Sequence, residues 1–485
     1  MHYFKYPMLF AGPLFLSACA GTVLENYSNN QAGFDVIATE TSKAIGKTTS
    51  FAQTQGETRA LQTKVRKLLR GKVLNADNAV QVALFNNKGL QASYANVGLS
   101  AADAWQEATP ENPIVSIGVF GGGAAELTYL AIEGLFRANI LDVTTRKKRL
   151  AVADATFRKA QQSAINDTLS LAYNTRVSWI NTVAAYEAVH YLTHAKQTSD
   201  AGSELALKLG ETGALNKAGQ AREQAFNAEL AGQLAQARLN AARAKEELTR
   251  LLGLWGEDTQ FSIPNKLPVL PSSIKKIKNI EVKALNNRVD LRLAQLQLQV
   301  QAAAFGLTNQ TRLVSDLELV AGVDMEREVG SNGDIEKVYK RKVELEFAIP
   351  IFDSGNARMR KAELSYLQAA NIVAEKAVNA RSEVREAEMS YFASYQIAKH
   401  YRDVVVPLRT TVEEEGLLSY NGMITNTFEL LTDVREKLVA QQEAANAKRD
   451  FYLAQAELTA AIYGGGAGGA SAGEGPTIAG GGAGH

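Results

Sequence analysis

The chain has 485 residues, with 52 Lys plus Arg against 51 Asp plus Glu. So even a balance gives no electrostatic case for nucleic acid as a partner. Aromatic residues make up 7% and alanine is plentiful along several stretches, which suits long, closely packed helices better than a globular enzyme.

Residues 1–18 read as a bacterial export signal. Lys5 supplies a small positive region, Tyr6 to Phe15 an apolar one, and Leu16-Ser17-Ala18-Cys19 follows. The apolar region is too short for a stable membrane anchor. The last four residues resemble a lipobox, which implies cleavage before Cys19 and diacylation of its sulfur. Cys19 is the only cysteine, so an internal disulfide and a cysteine-based metal cluster are both ruled out. No later apolar run reaches helical spanning length. A chain of this kind enters a membrane only as β-barrel strands, because every backbone polar group must be paired in lipid.

Residues 19–76 form a polar, weakly periodic extension. Gly46-Lys47-Thr48 imitates the end of a phosphate-binding loop, but that motif needs a glycine about five positions earlier, where Thr41 stands. A first repeat is expected over 77–262. Asp77 is the expected N-cap of a helix that runs to Ala108, before Pro110 and Pro113. A hairpin is expected near 112–138, around Gly121-Gly122-Gly123. Asp142 is then expected to cap a helix to Ser199, roughly 80 Å or more at the usual rise. The chain breaks at Leu209-Gly210-Glu211-Thr212-Gly213, and a helix from Lys217 to Leu252 follows. Its alanines Ala221, Ala225, Ala228, Ala235 and Ala242 would let a neighbouring helix approach closely.

A proline-rich linker occupies 263–279, and the programme restarts over 280–463. Ala83-Leu84-Phe85-Asn86-Asn87 is echoed by Ala284-Leu285-Asn286-Asn287. The second hairpin, over 312–350, shows strict period-two alternation. Leu313, Leu317, Leu319, Ala321, Val323 and Met325 fall on one face and Asp316, Glu318, Asp324 and Glu326 on the other. In its second strand Val343, Leu345, Phe347 and Ile349 oppose Lys340, Lys342, Glu344 and Glu346. This is the pattern of strands with one face in lipid and one in a wet lumen: Leu319 and Leu345 are expected to face lipid, Glu318 and Glu344 water. Asp353 is the expected cap of an unbroken helix to Glu415. Tyr420-Asn421-Gly422 matches the break at Gly213, and a last helix ends at Tyr463-Gly464. A Gly/Ala-rich tail over 464–485 is expected to be disordered.

The fold class is therefore mostly α with a membrane β-hairpin pair, built as a duplicated helix–β-hairpin–helix–helix repeat. Four strands cannot close a barrel, since single-chain barrels start at about eight. Three chains would supply a twelve-stranded transmembrane barrel continuous with a helical tube.

Over residues 77–463 the chain resembles the TolC-type outer-membrane efflux factors. The resemblance rests on the repeat, on Ile349-Pro350-Ile351-Phe352-Asp353-Ser354-Gly355 at the strand-to-helix corner, and on Tyr420-Asn421-Gly422-Met423 leading into Phe428-Glu429-Leu430-Leu431. It departs where the family often has Asn-Pro, since this chain has Asn86-Asn87 and Asn286-Asn287. The resemblance implies a homotrimer with an α-barrel across the periplasm and a β-barrel in outer-membrane lipid. It implies a periplasmic adaptor protein and an inner-membrane transporter of RND or ABC type as partners. It also places Glu429 at the acidic periplasmic constriction, with Asp433 one position beyond the family's second acid, which falls at Thr432. Tyr420 is a further gate residue, and Gly213 and Gly422 mark adaptor-contact tips.

Read from the residues alone, Glu429 and Asp433 equally suit a helix start, complementing its dipole with Lys437 as partner. The tip glycines equally suit left-handed helix stops. His190 and His194 share a helix face, but no carboxylate completes a zinc signature. No catalytic set, cofactor or metal site is expected. The function expected is a passive exit duct of an efflux pump or type I secretion system, lipid-anchored at Cys19. The alternative is a structural helical lipoprotein, which has no use for the alternation at 312–350.

Overall fold

A computed structural model describes residues 27–122, 129–314, 316–329, 334–422, 424–425 and 427–466. The export signal, Cys19, both hairpin turns, Met423 and the tail from residue 467 lie outside the described residues. The chain divides into two compact units. Of the described residues, the first holds those up to Asp35 with Ala95–Gln162 and Arg292–Glu375, and the second holds Val36–Tyr94, Ser163–Leu291 and those from Lys376 to residue 466.

Most of the chain is helical. The N-terminal extension is more ordered than its composition suggests. It forms α1 (Phe34–Ile45) and α2 (Gln55–Leu69), the latter opened by a capping box between Thr54 and Glu57. The first repeat continues as α3 (Ala76–Asn86), α4 (Lys88–Ala108), β1 (Ile114–Gly122), β2 (Tyr129–Asn139), α5 (Ile140–Glu211) and α6 (Lys217–Leu252). The second is α7 (Ile280–Asn287), α8 (Val289–Gln310), β3 (Leu317–Val329), β4 (Ile335–Phe347), α9 (Asn356–His400), α10 (Val406–Asn421) and α11 (Thr427–Tyr463).

Several expected caps move. Asn75, not Asp77, caps α3 and accepts from the Asn78 N–H at 2.8 Å; Asp77 instead pairs with Arg176 at 2.6 Å. Asn139, the last residue of β2, caps α5 by accepting from the Asp142 N–H at 3.0 Å. Asp142 is buried in the first turn and pairs with Arg149. Asp353 accepts from the Gly355 N–H at 2.8 Å and so shapes the turn ahead of α9, which begins only at Asn356. At Asn75 and Asn139 the cap is the residue whose backbone is still extended, and its side chain reaches the first free N–H groups.

The two helices expected to start each repeat are each stepped. Asn87 (φ −65°, ψ 120°) and Arg288 (φ −64°, ψ 119°) take the same extended conformation. Behind the first step, Asn86 and Asn87 donate to the carbonyls of Leu251, Leu252 and Gly253, which closes the end of α6. Gly253 is left-handed, and a Cβ there would lie 2.8 Å from the Asn86 carbonyl oxygen. Only glycine fits both demands. At the second step Arg288 is buried and grips Asp290 with two bonds, at 2.9 and 2.7 Å, and Glu383 with a third at 2.5 Å.

The helix after β4 is not unbroken. Tyr401–Val405 is π-helical between α9 and α10, just ahead of Pro407. Proline lacks the N–H of a regular turn, and its ring clashes with the carbonyl four residues back.

The core of the second unit joins both repeats. Leu69, Leu74, Val82, Trp179, Val183, Leu248, Leu252 and Phe261 cluster with Ala456 of α11, and the Trp179 indole donates to the Leu74 carbonyl at 2.8 Å. Glu187 is 1% exposed and accepts from Lys448 at 2.7 Å and from the Leu267 N–H at 3.0 Å. That pin fastens the proline-rich linker between α5 and α11.

Candidate functional site

In the first unit the strands form one antiparallel sheet in the order β1-β2-β3-β4. Directly paired residues share a face, so the register decides what each face carries. Leu319 opposes Leu345, Leu317 opposes Phe347, and Ala321 opposes Val343. Across β2 the same face continues through Phe136, opposite Ala321, and Ile132, opposite Met325. In β1 it runs through Val115, Ile117 and Val119. Ile117 is 75% and Val343 76% exposed, so the single chain covers little of this apolar face.

The other face is polar. Glu318 opposes Glu346, Val320 opposes Glu344, and Asp324 opposes Lys340. Lys340 bonds Glu326 at 2.8 Å and Lys342 pairs with Glu344 at 3.0 Å. Glu133 of β2 extends the charge, opposite Asp324. Glu318 and Glu344 therefore share one face and Leu319 and Leu345 the other. The register also assigns the faces of the glycine-rich first hairpin: Val115, Ile117 and Val119 continue the apolar face, while Ile114, Phe120 and Leu135 fall on the other. The strands run 317–347, inside the expected 312–350.

The second unit carries both helix tips. Gly213 (φ +75°) ends the α5 tip in the left-handed region, and Asn216 then caps α6, accepting from Gly219 at 2.8 Å. Gly422 differs. Its φ is −82°, so it is no left-handed stop; its N–H bonds the Leu418 carbonyl at 2.9 Å and closes α10 without glycine's special freedom.

Glu429 lies exposed in the first turn of α11 and accepts from the Thr425 hydroxyl. Asp433, one turn on, lies against α10: a Cβ at Gly416 would sit 2.9 Å from its Oδ2. Burial raises the Asp433 pKa, and the charges of Glu429 and Glu436 add to this against the opposing pull of Arg409. The two acids thus meet electrostatically, as their spacing predicts. Lys437, the expected partner of Asp433, instead pairs with Glu413. Tyr420 is half-buried near the end of α10.

Sequence reasoning missed the link between repeats beside these tips. Arg435 of α11 bonds Glu223 of α6 at 2.6 Å and lies 4.1 Å from the Phe226 ring centroid. Glu223 is 4% exposed. The only signal in the sequence was an acid on what proves to be the buried stripe of α6, with Leu230, Leu234, Ala241 and Leu248. The alanines Ala221, Ala225, Ala228, Ala235 and Ala242 are exposed, so among the described residues the small-residue stripe is left uncovered. The His190 and His194 rings meet edge to face at 4.5 Å, and among the described residues no group of three His, Cys, Asp or Glu could hold a metal ion.

No protein-family model and no curated protein matches the chain. Solved structures do match it. The outer-membrane channel OprN is 18% identical with a TM-score of 0.67, over 88% of this chain and 95% of that one. The CmeC outer membrane channel of Campylobacter jejuni is 17% identical with a TM-score of 0.65, over 80% and 85%. The outer membrane protein VceC of Vibrio cholerae is 15% identical with a TM-score of 0.66, over 80% and 96%. The likeness is one of fold, and it extends over nearly the whole length of each neighbour.

Proposed function

We propose that this chain, with the fold of the TolC-type outer-membrane channels, is one protomer of a homotrimeric exit duct. The observation that carries this reading is the four-stranded sheet, with one mainly apolar face that turns basic only at Arg341 and at the Arg327–Lys337 pair, one mainly charged face, and open edges at β1 and β4. An open edge in lipid leaves backbone groups unpaired. Pairing β4 of one protomer with β1 of the next satisfies both edges, and three protomers close a twelve-stranded barrel with the apolar face outward. The exposed alanine stripe of α6 suits a neighbouring helix in the same assembly.

In this reading the duct carries solutes passively out of the periplasm. It receives them from an inner-membrane transporter of RND or ABC type through a periplasmic adaptor, which meets the tips at Gly213 and Gly422. Glu429 and Asp433 form the periplasmic constriction, with the Tyr420 hydroxyl as one contact holding it shut. Cys19 carries the lipid anchor. A lipid-tethered helical scaffold accounts for the anchor and the helices but leaves the two-faced sheet without a purpose.

The test combines mass measurement in detergent with planar-bilayer recording. A trimer that conducts ions supports the reading. A monomer at working concentrations, or a trimer that never conducts, overturns it.

A further inference from the structure

Basic side chains follow both strand-to-helix junctions. α5 carries Asp142 in its first turn and then Arg146-Lys147-Lys148-Arg149 over its second and third, and α9 carries Arg358, Arg360 and Lys361 in its first two. Arg149 is committed to Asp142 and Glu107. Arg360 reaches Glu363 at 2.7 Å, and Arg358 lies 4.0 Å from Asp353. Lys147, Lys148 and Lys361 are exposed.

Apolar side chains stand beside these cations. Phe352 is 101%, Ile351 74% and Val143 68% exposed. Ile351 and Phe352 occupy the connection between β4 and α9, and Val143 the first turn of α5, where the apolar sheet face gives way to water-soluble helix. Exposed aromatic and aliphatic groups next to long basic side chains match the layered chemistry of a membrane interface: acyl chains on one side, phosphates on the other.

We propose that the two basic turns, together with Val143, Ile351 and Phe352, form a collar that binds the headgroups of anionic phospholipids at the rim of the membrane sheet. The collar rests on the reading that the apolar sheet face meets lipid. It fixes how deep the sheet sits, because the apolar residues seek the acyl boundary while the cations hold the phosphate plane.

The full-length protein is exchanged into nanodiscs holding phosphatidylcholine and phosphatidylglycerol, and the lipid retained on gentle extraction is identified by mass spectrometry. Phosphatidylglycerol should be enriched on the order of tenfold, the scale expected for a few lysines at a charged surface. The triple substitution Lys147→Gln, Lys148→Gln, Lys361→Gln should abolish most of that enrichment, and the Lys→Arg triple should keep it. Soluble glycerol phosphate should not compete. Equal enrichment in the Gln triple, no enrichment in the wild type, or loss of enrichment to glycerol phosphate each overturns the collar. Planar-bilayer recording of the same purified protein separates the two readings: a conducting wild type without lipid preference sinks the collar alone, and a wild type that neither inserts nor conducts sinks both.

Discussion

Leu319 and Leu345 stand directly opposite each other across the β3–β4 ladder, while Glu318, one residue from Leu319, opposes Glu346 on the reverse face. One residue thus separates an aliphatic pair from a like-charge pair. Two carboxylates placed opposite each other destabilise a sheet unless water screens them, which suits a face turned to a wet lumen.

Substituting each neighbour tests this division. Leu319→Lys should cost roughly 2–4 kcal/mol near the bilayer midplane and reduce trimer yield in outer-membrane extracts. Glu318→Lys should assemble normally. Equal yields from the two variants would remove the lipid-facing assignment.

The Glu187–Lys448 pin is a stability determinant distant from the sheet. Removing one partner leaves a buried charge unmatched, so Glu187→Ala should cost about 3–5 kcal/mol. Replacing both, as Glu187→Leu with Lys448→Met, should cost much less. Denaturant melts of the four members of this cycle check it; an additive double mutant would show that the pair is not coupled.

Asp433 gives a pH dependence with a definite sign. Its pKa is raised in the folded chain by burial and by Glu429 and Glu436. Folding therefore favours the protonated acid. The penalty is absent below the ordinary carboxylate range near pH 4 and fully present once pH passes the raised value. Asp433→Asn should raise the melting temperature at neutral pH and lose that advantage in acid. A gain that persists unchanged in acid would mean the substitution acts through packing.

Three copies of Glu429 around one axis would repel each other and attract cations. Glu429→Ala should weaken cation selectivity and divalent-ion block in planar bilayers. Tyr420→Phe should instead raise conductance and leave selectivity unchanged. Wild-type selectivity and block in the Glu429→Ala channel would make Glu429 an ordinary surface acid of the α11 start.

The anchor is separable from assembly. Cys19→Ser should abolish incorporation of radiolabelled lipid yet leave trimers, because a shared barrel buries far more apolar surface than one anchor supplies. Label that persists in the variant would refute the lipobox reading.

The parts of the fold legible from the residues were those with strong period and strong punctuation. The β3–β4 alternation and the bounds of α6 emerge directly from the chain. Caps at Asn75 and Asn139 were mistaken for Asp77 and Asp142 because both candidates lie at a helix start, and only backbone conformation separates them. The Arg435–Glu223 and Lys448–Glu187 pairs lie 212 and 261 residues apart; no local pattern couples partners at such separation. The β1 strand was legible over Ile114–Phe120, but not which of its faces is which, because apolar Ile114 and Phe120 oppose Val115, Ile117 and Val119.

The π-helical step at Tyr401–Val405 sets the angular phase of everything beyond it. One residue added to a helical turn rotates all later side chains by about 100°. A hydrophobic stripe followed straight from α9 into α10 therefore drifts off its own face after His400. Side chains that point inward above the step and inward below it obey two separate numberings. Deleting one residue from the step would swing Glu413, Gly416 and Tyr420 together to a new azimuth and separate Glu413 from Lys437, while the same deletion in the α10–α11 connection would turn none of them. The tip thus takes its orientation from a single helical defect lying several turns away.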